Sequence, residues 1–281
     1  MRQRLAPRNQ RKIVMKKEIR ETKEGIIQIT TWDERWYAKS KMDEKTGLPI
    51  YEFVPSVTWI AGYYPKGIAF YKWLAQKGWD EAEAIKTAAG DKGSKVHFAI
   101  TDLLAGKEVA MDGKYLNKTS GKEEELTLEE YECLMSFVDW FKKTKPKVLA
   151  NELVVFNEEY GYAGTIDLIA EIDGEKYIID VKTGANIWPE HELQISAYLH
   201  GQPEKHKLAL LQLGYKRNKN GWKFTEIEDK FDLFLSARKI WQNECGEDRP
   251  RQKDFPLVLS LKEEKQKVAD LPAVGRKINK K

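Results

Sequence analysis

The sequence predicts an α/β sandwich around one mixed sheet, and three observations carry that expectation. Residues 161–182 hold two runs rich in Ile, Leu, Val and Tyr on either side of Asp173-Gly174, a dipeptide suited to a two-residue type I′ hairpin turn. A helical stretch opened by Pro189 separates the second run from the apolar segment 206–215, and a helical crossover sets the strands it joins parallel. Ahead of the hairpin, Thr127 and Glu130 make a capping box for a helix closed by Pro146. The expected core order is therefore helix, three-strand antiparallel meander, helix, parallel strand.

Each element has its own local signal. Ile26–Thr30 and Arg35–Lys39 read as short strands, and Ile50–Val54 pairs with the second across the Glu44–Gly47 turn. Pro55-Ser56 opens a helical, aromatic region through about Lys77 that includes Trp59, Tyr63, Tyr64, Phe70, Tyr71 and Trp73. One helix follows over about Asp80–Ala89. Another covers Lys92–Leu104, where Val96, Ala99, Ile100, Leu103 and Leu104 recur at helical spacing and Gly106 is the stop. Residues 105–125 are polar and Gly-containing, which reads as a surface loop. The capped helix runs to about Lys143 and presents Tyr131, Leu134, Met135, Val138 and Phe141 on one face. Strands at 149–156, 162–172 and 175–182 make the meander. Asn220-Gly221 turns the 206–215 strand back along Trp222–Ile227, and an amphipathic helix over about Asp229–Asn243 completes the pattern. The expected organisation is a basic flexible arm (1–24), an N-terminal strand and helix elaboration (25–90), the core (91–245) and a basic C-terminal tail (246–281).

The formal net charge of +4 conceals a division. Residues 1–24 hold nine Lys/Arg against three Glu and residues 261–281 seven against three acids, which leaves −6 on the body between them. Basic arms can grip a polyanion. They can equally be solvated, disordered ends, and residues 1–17, with four Arg and no acid, also admit a mitochondrial presequence. No apolar run reaches transmembrane length and no signal-peptide pattern occurs, so the chain reads as soluble and cytoplasmic without a membrane partner, the mitochondrial matrix being the alternative. Cys133 and Cys245 are too few for a disulfide framework or an iron–sulfur cluster.

Chemistry concentrates on the hairpin. With Asp173-Gly174 as its loop, Ile172 faces Glu175, which sets Asp167 opposite Asp180 and Thr165 opposite Lys182. Opposed residues have Cβ atoms about 5 Å apart on one face, where like charges destabilise the pair. Asp180 and Lys182, two apart in a strand, project to the same side. Glu152 on the preceding strand joins them, facing Thr165 if the Asn157–Tyr160 turn is centred between Glu158 and Glu159. Three carboxylates and a lysine suit a hard divalent cation such as Mg²⁺ or Mn²⁺. Such an ion lowers the pKa of bound water and offsets charge building on a phosphate, while the lysine orients the water or stabilises the transition state. The alternative is an ordinary Asp180–Lys182 surface pair with Asp167 as an exposed strand acid; repulsion between facing acids favours the cation. The Trp59–Trp73 aromatics likewise have two readings, a core stripe or a platform for unpaired bases. Lys216, Arg217, Lys219 and Lys223 contact phosphate or solvate a hairpin tip, and His191, His200 and His206 show no competing ligand spacing.

Gly164-Thr165-Ile166-Asp167, then Asp180-Val181-Lys182-Thr183-Gly184 after twelve residues, then Gln194-x-x-x-Tyr198, resembles the RecB-type exonuclease branch of the PD-(D/E)XK nuclease superfamily. Gly93-x-x-x-His97 is similar to that branch's histidine motif. Pro55-Ser56-Val57-Thr58 resembles a motif near the start of phage members and of mitochondrial genome maintenance exonucleases. The matched motifs span 93–198, with Pro55–Thr58 as an outlier, and Thr165-Ile166 stands before Asp167 where the superfamily's name has Pro. The resemblance implies a restriction-endonuclease-like core with Asp167, Asp180 and the Val181 carbonyl as metal ligands and His97 as a further ligand or the support of one. Lys182 becomes the catalytic lysine and Glu152 an upstream acid, while Gln194 and Tyr198, one helical turn apart, support the site and hold DNA phosphate. The activity implied is that of a Mg²⁺- or Mn²⁺-dependent deoxyribonuclease. It is foremost an exonuclease hydrolysing phosphodiester bonds at DNA ends or in single strands, in replication, recombination or repair, in a bacterium or phage-infected cell. An endonuclease on the same fold and a catalytically inert DNA-binding subunit are the alternatives; the intact acid, acid, lysine set argues against the second.

Overall fold

The computed structural model describes residues 18–250 apart from residues 23, 24, 32, 33, 45, 46, 48, 185, 247 and 248. The basic stretches 1–17 and 251–281 lie outside the described residues. The chain divides into two compact units, with the boundary between Val54 and Pro55.

In the first unit, β1 (Glu18–Glu21), β2 (Ile27–Thr30), β3 (Arg35–Met42) and β4 (Pro49–Pro55) form one sheet in that order. β1 falls in the stretch read as an arm. A single Ile among three charged residues gives no period-2 signal, yet Ile19 pairs with Ile29 of β2. Trp36, Tyr37 and Ala38 of β3 are buried.

The second unit begins with α1 (Val57–Ala61), α2 (Ile68–Lys77) and α3 (Trp79–Leu104). Then come the hairpin β5 (Lys114–Asn117) and β6 (Lys122–Glu125), and α4 (Leu128–Thr144) with both halves of its capping box made. β7 (Lys147–Asn157), β8 (Tyr162–Ile172), β9 (Glu175–Lys182), α5 (Pro189–Leu199), β10 (Lys207–Leu213), β11 (Trp222–Ile227) and α6 (Phe231–Cys245) complete it. Five strands make a mixed sheet in the order β11-β10-β9-β8-β7, with β9 and β10 parallel and the other neighbours antiparallel. This is an α/β fold, and helix, antiparallel meander, helix and parallel strand follow one another as expected.

Side-chain alternation assigns the two faces of the sheet. Val96 and Ala99 of α3 and Phe137 and Trp140 of α4 pack into one cluster with Leu168, Ile179 and Val181. Residues of opposite parity, including Asp180, face the layer of α1, α5 and α6. α3 is closed on α4 by Lys95 and Glu130, an ion pair at 2.7 Å with both side chains 4% exposed. Glu130 Oε2 also accepts from the Thr127 N–H at 2.7 Å, so one carboxylate serves the cap and the interhelical tie two residues from His97.

Two local expectations are corrected and one, the helical region from Pro55, is refined. A single helix spans Trp79–Leu104 where two were expected. Gly90 and Gly93 cost about 1 kcal/mol each in a helix interior, which burial of Val96, Ala99 and Ile100 on the same helix outweighs. The region from Pro55 to Lys77 breaks into α1 and α2, with Pro65 and Gly67 between them. Residues 105–125 contain β5 and β6, whose Lys114–Glu125 and Asn117–Lys122 pairings are charged or polar and so leave no apolar period to read.

Candidate active site

The β8–β9 hairpin has the expected register, with Ile172 facing Glu175 and Leu168 facing Ile179. Asp173 (φ 50°) and Gly174 (φ 82°) supply the two positive φ angles of a type I′ turn. The ladder ends at Leu168–Ile179, one pair short of Asp167 and Asp180, so the two acids are not a main-chain ladder pair. Instead the Asp167 side chain enters between the strands, its Oδ2 accepting from the Val181 N–H at 2.8 Å.

The β7–β8 register departs from expectation by two residues. Val154, not Glu152, faces Thr165, because the turn is centred one residue later and Asn157 pairs with Tyr162. A shift of two keeps the same face. Glu152 therefore falls between the Asn151–Leu168 and Leu153–Ile166 pairs, alongside Asp167, with φ 51° marking an irregularity in the strand. A glutamate held left-handed costs about 1–2 kcal/mol, and the result is a carboxylate aimed at Asp167.

His97, Glu152 and Asp167 each offer one donor atom, and the three lie within 4.8 Å of one another. His97 Nδ1 is 3.5 Å from Asp167 Oδ1 and 3.8 Å from Glu152 Oε1. A six-coordinate ion with bonds of about 2.1 Å separates adjacent ligand atoms by about 3.0 Å and opposite ones by about 4.2 Å; the three donors stand somewhat wider than adjacent ligands, and small side-chain rotations would bring them onto one ion. An imidazole among carboxylates admits Mn²⁺ and other first-row ions more readily than Mg²⁺. On the other side of the ring, His97 Nε2 meets the Val181 carbonyl at 3.2 Å. That oxygen, expected as a ligand, acts here on the histidine and fixes the tautomer that leaves Nδ1 for a cation. Asp180, also expected as a ligand, stands outside the three-residue group.

Electrostatics follow from this crowding. Burial opposes charge on His97, but the Asp167 carboxylate and then Glu152 override it, and its pKa rises to about 9. Burial pushes Asp167 up to about 7, with His97 and Lys182 pulling down against Asp180 and Glu152. A proton on His97 thus sits among the acids where a cation would. Binding an ion requires His97 neutral and Asp167 ionised, and both protons leave as pH rises. Affinity for Mn²⁺ is therefore expected to increase from about pH 6 and level off above about pH 9. Calorimetric titration in buffers of different ionisation enthalpy would also count the protons released; an affinity independent of pH with no proton release would refute this site.

Lys182 lies in a second group on the α5 side. Its Nζ is 2.6 Å from Asp180 Oδ2, with Asp180 1% and Lys182 19% exposed at the side chain. Gln194 links the parts: its Nε2 donates to Asp180 Oδ1 at 3.0 Å and to the Tyr198 hydroxyl at 2.8 Å, while its Oε1 accepts from Lys182 Nζ at 3.5 Å. Gly164 lets α5 come this close, since a Cβ there would stand 2.5 Å from Tyr198 Cε1 and 3.2 Å from Val57. Ser56 caps α1 through the Trp59 N–H at 3.1 Å and bridges to Ala163, so the Pro55–Thr58 motif seats Val57 beside the site strand.

One residue near the lysine had no role in the sequence reading. His191 lies three residues before Gln194, on the same helical face. Its Nδ1 accepts from the Trp188 N–H at 3.3 Å, and burial, then Lys182, lower its pKa to about 4, so the ring is neutral. Only the face shared with Gln194 pointed to it. Gln212 (3% exposed) donates to the Gly184 carbonyl at 3.3 Å and ties down the segment after β9.

Fold and site together define an α/β protein with a candidate cation centre at the splayed end of its sheet and a lysine held beside it. No family model matches the chain, nor does any curated protein. Among solved structures it is similar to an alkaline exonuclease, LHK-Exo, from Laribacter hongkongensis, with 13% identity over 68% of this chain and 87% of that one and a TM-score of 0.35. LHK-Exo in complex with dAMP aligns alike, at 13% identity over 69% and 88% and a TM-score of 0.35. The structure of SSO0001 gives 17% identity over 43% of this chain and 59% of that one, with a TM-score of 0.28. No helix among the described residues is long and apolar enough to cross a membrane.

Proposed function

We propose that the chain is a divalent-metal-dependent deoxyribonuclease of the PD-(D/E)XK superfamily, in its RecB-type branch, acting as an exonuclease on DNA ends. The observation that carries this reading is the convergence of His97, Glu152 and Asp167 within 4.8 Å, joined through Val181 to the Asp180–Lys182 pair. His97, Glu152 and Asp167 hold the ion, with Asp180 completing the anionic surround. A bound Mg²⁺ or Mn²⁺ would supply an activated water and offset charge on the phosphate. Lys182 would orient the attacking water or meet the charge building on a phosphate oxygen. Gln194 keeps the lysine and Asp180 in register, and Tyr198 anchors Gln194. A place in replication, recombination or repair, in a phage or bacterium, is the role that goes with this activity.

The test uses end-labelled linear DNA and circular DNA, single- and double-stranded, incubated with Mg²⁺, Mn²⁺ or EDTA. Linear DNA is expected to be lost from its ends with either metal and preserved in EDTA, while circles resist. Cut circles would establish an endonuclease instead. Binding without cleavage in every metal would establish an inert DNA-binding subunit.

A further inference from the structure

The stretch from Gly62 to Gly78 holds Tyr63, Tyr64, Phe70, Tyr71 and Trp73, three lysines and no acid, within a body of net negative charge. Its two ends behave differently. Trp59, just before it, packs edge-on against Trp241 at 5.2 Å, and the Tyr63 hydroxyl meets Cys245 Sγ at 3.0 Å, so this end belongs to the core. α2 by contrast buries none of its residues. Tyr71 is 54% exposed, Ile68 71%, and Trp79, at the start of α3, 69%. Phe70 lies 5.6 Å from Tyr71 and 5.9 Å from Trp73 between ring centroids, so the rings prop one another up, and among the described residues no layer buries them.

The position of this bare helix matters as much as its composition. Just ahead of it, Lys66 forms an ion pair with Glu190 in the first turn of α5, the helix that carries Gln194 to Lys182. Lys66 also lies 6.0 Å over the Phe70 ring. Trp188, which caps α5, is 48% exposed. Aromatic faces therefore begin at the mouth of the candidate active site, beside three lysines of which Lys66 and Lys77 are held by Glu190 and Glu81, acids outside the stretch, in pairs that a phosphate can replace. A strand of nucleic acid offers the complement, since its phosphates meet the lysines and its unpaired bases present faces to the rings. A base-paired duplex hides those faces.

We propose that α2, with Trp79, is a stacking platform for unpaired bases, leading a single strand toward Lys182. The strand's destination rests on the nuclease reading; its binding to α2 does not.

Fluorescence anisotropy with a labelled oligothymidine of about 20 nucleotides and with a blunt duplex, on the full chain in EDTA, tests the platform. Tyr71→Ala and Trp79→Ala alter exposed rings, and an unchanged melting temperature controls for folding. Each is expected to weaken single-strand binding on the order of tenfold and duplex binding less than about twofold, while Ile68→Ala, which removes no ring, has little effect. Absence of single-strand binding by the unaltered protein, an equal loss on duplex, or no loss would overturn the proposal. So would ring-dependent binding to phosphatidylserine vesicles in place of DNA. If the protein cleaves nothing yet binds single strands through these rings, the nuclease reading fails and the platform stands. If it cleaves but both variants bind like the parent, only the platform fails.

Discussion

Lys182→Ala is expected to lower turnover on linear DNA by about 10²–10³-fold, the usual loss for one preorganised electrostatic group, while metal-dependent DNA binding persists. Lys182 stands at the junction of the two groups, its ammonium 2.6 Å from a carboxylate that is 1% exposed. Asp180 cannot reach a substrate itself; the partly open Lys182 can, and Gln194 holds it there. The substitution has a second effect, because it leaves the buried Asp180 carboxylate with the Gln194 amide as its donor and no lysine beside it. Breaking a buried pair costs about 3–5 kcal/mol, so a fall in melting temperature must be separated from a fall in rate. The double variant Asp180→Asn with Lys182→Met removes both charges and is expected to fold better than Lys182→Ala yet remain inactive. Single-turnover rates on labelled DNA, measured beside thermal melts, distinguish the two. A near-normal rate for Lys182→Ala would remove this side chain from the chemistry.

Legibility of the site followed local backbone chemistry. Asp173-Gly174 names its turn type, and the type I′ turn sets every partner along β8 and β9 that the ladder contains. No comparable dipeptide marks the turn before Tyr162, so the position of Glu152 came out two residues wrong. The positive φ at Glu152 has no sequence signature either, because glutamate rarely adopts it. Capping residues were readable for the same local reason, as Thr127 and Glu130 show. The Lys95–Glu130 tie was not, because only tertiary packing brings together two residues that each resemble a surface charge. α2 shows the opposite case: its aromatics carry a core pattern, and solvent exposure is decided by which neighbours the chain places around it.

Asp167→Asn separates repulsion among the acids from their use in holding a cation. Asp167 is an acid whose folded-state pKa, about 7, lies above the usual carboxylate range. The folded state therefore binds its proton more tightly than the unfolded chain does. Its contribution to stability is present at acid pH and lost as pH rises through the carboxylate range toward about 7. Three units at 1.36 kcal/mol per unit set about 4 kcal/mol as the upper limit of this contribution. The amide keeps a carbonyl oxygen to accept from the Val181 N–H, so the strand contact survives. In EDTA at about pH 8 the variant is expected to melt several degrees above the parent, and the gap should close toward about pH 4. Mn²⁺ should reverse the order. At a thousand times its dissociation constant, a bound ion stabilises the parent by about 4.1 kcal/mol, enough to offset that deficit, and the variant, short of one ionised ligand, gains little. A metal-free melting temperature well below the parent's at about pH 8 would mean that Asp167 serves the fold through its charge, and would end the account of these residues as an anionic site stabilised by a cation.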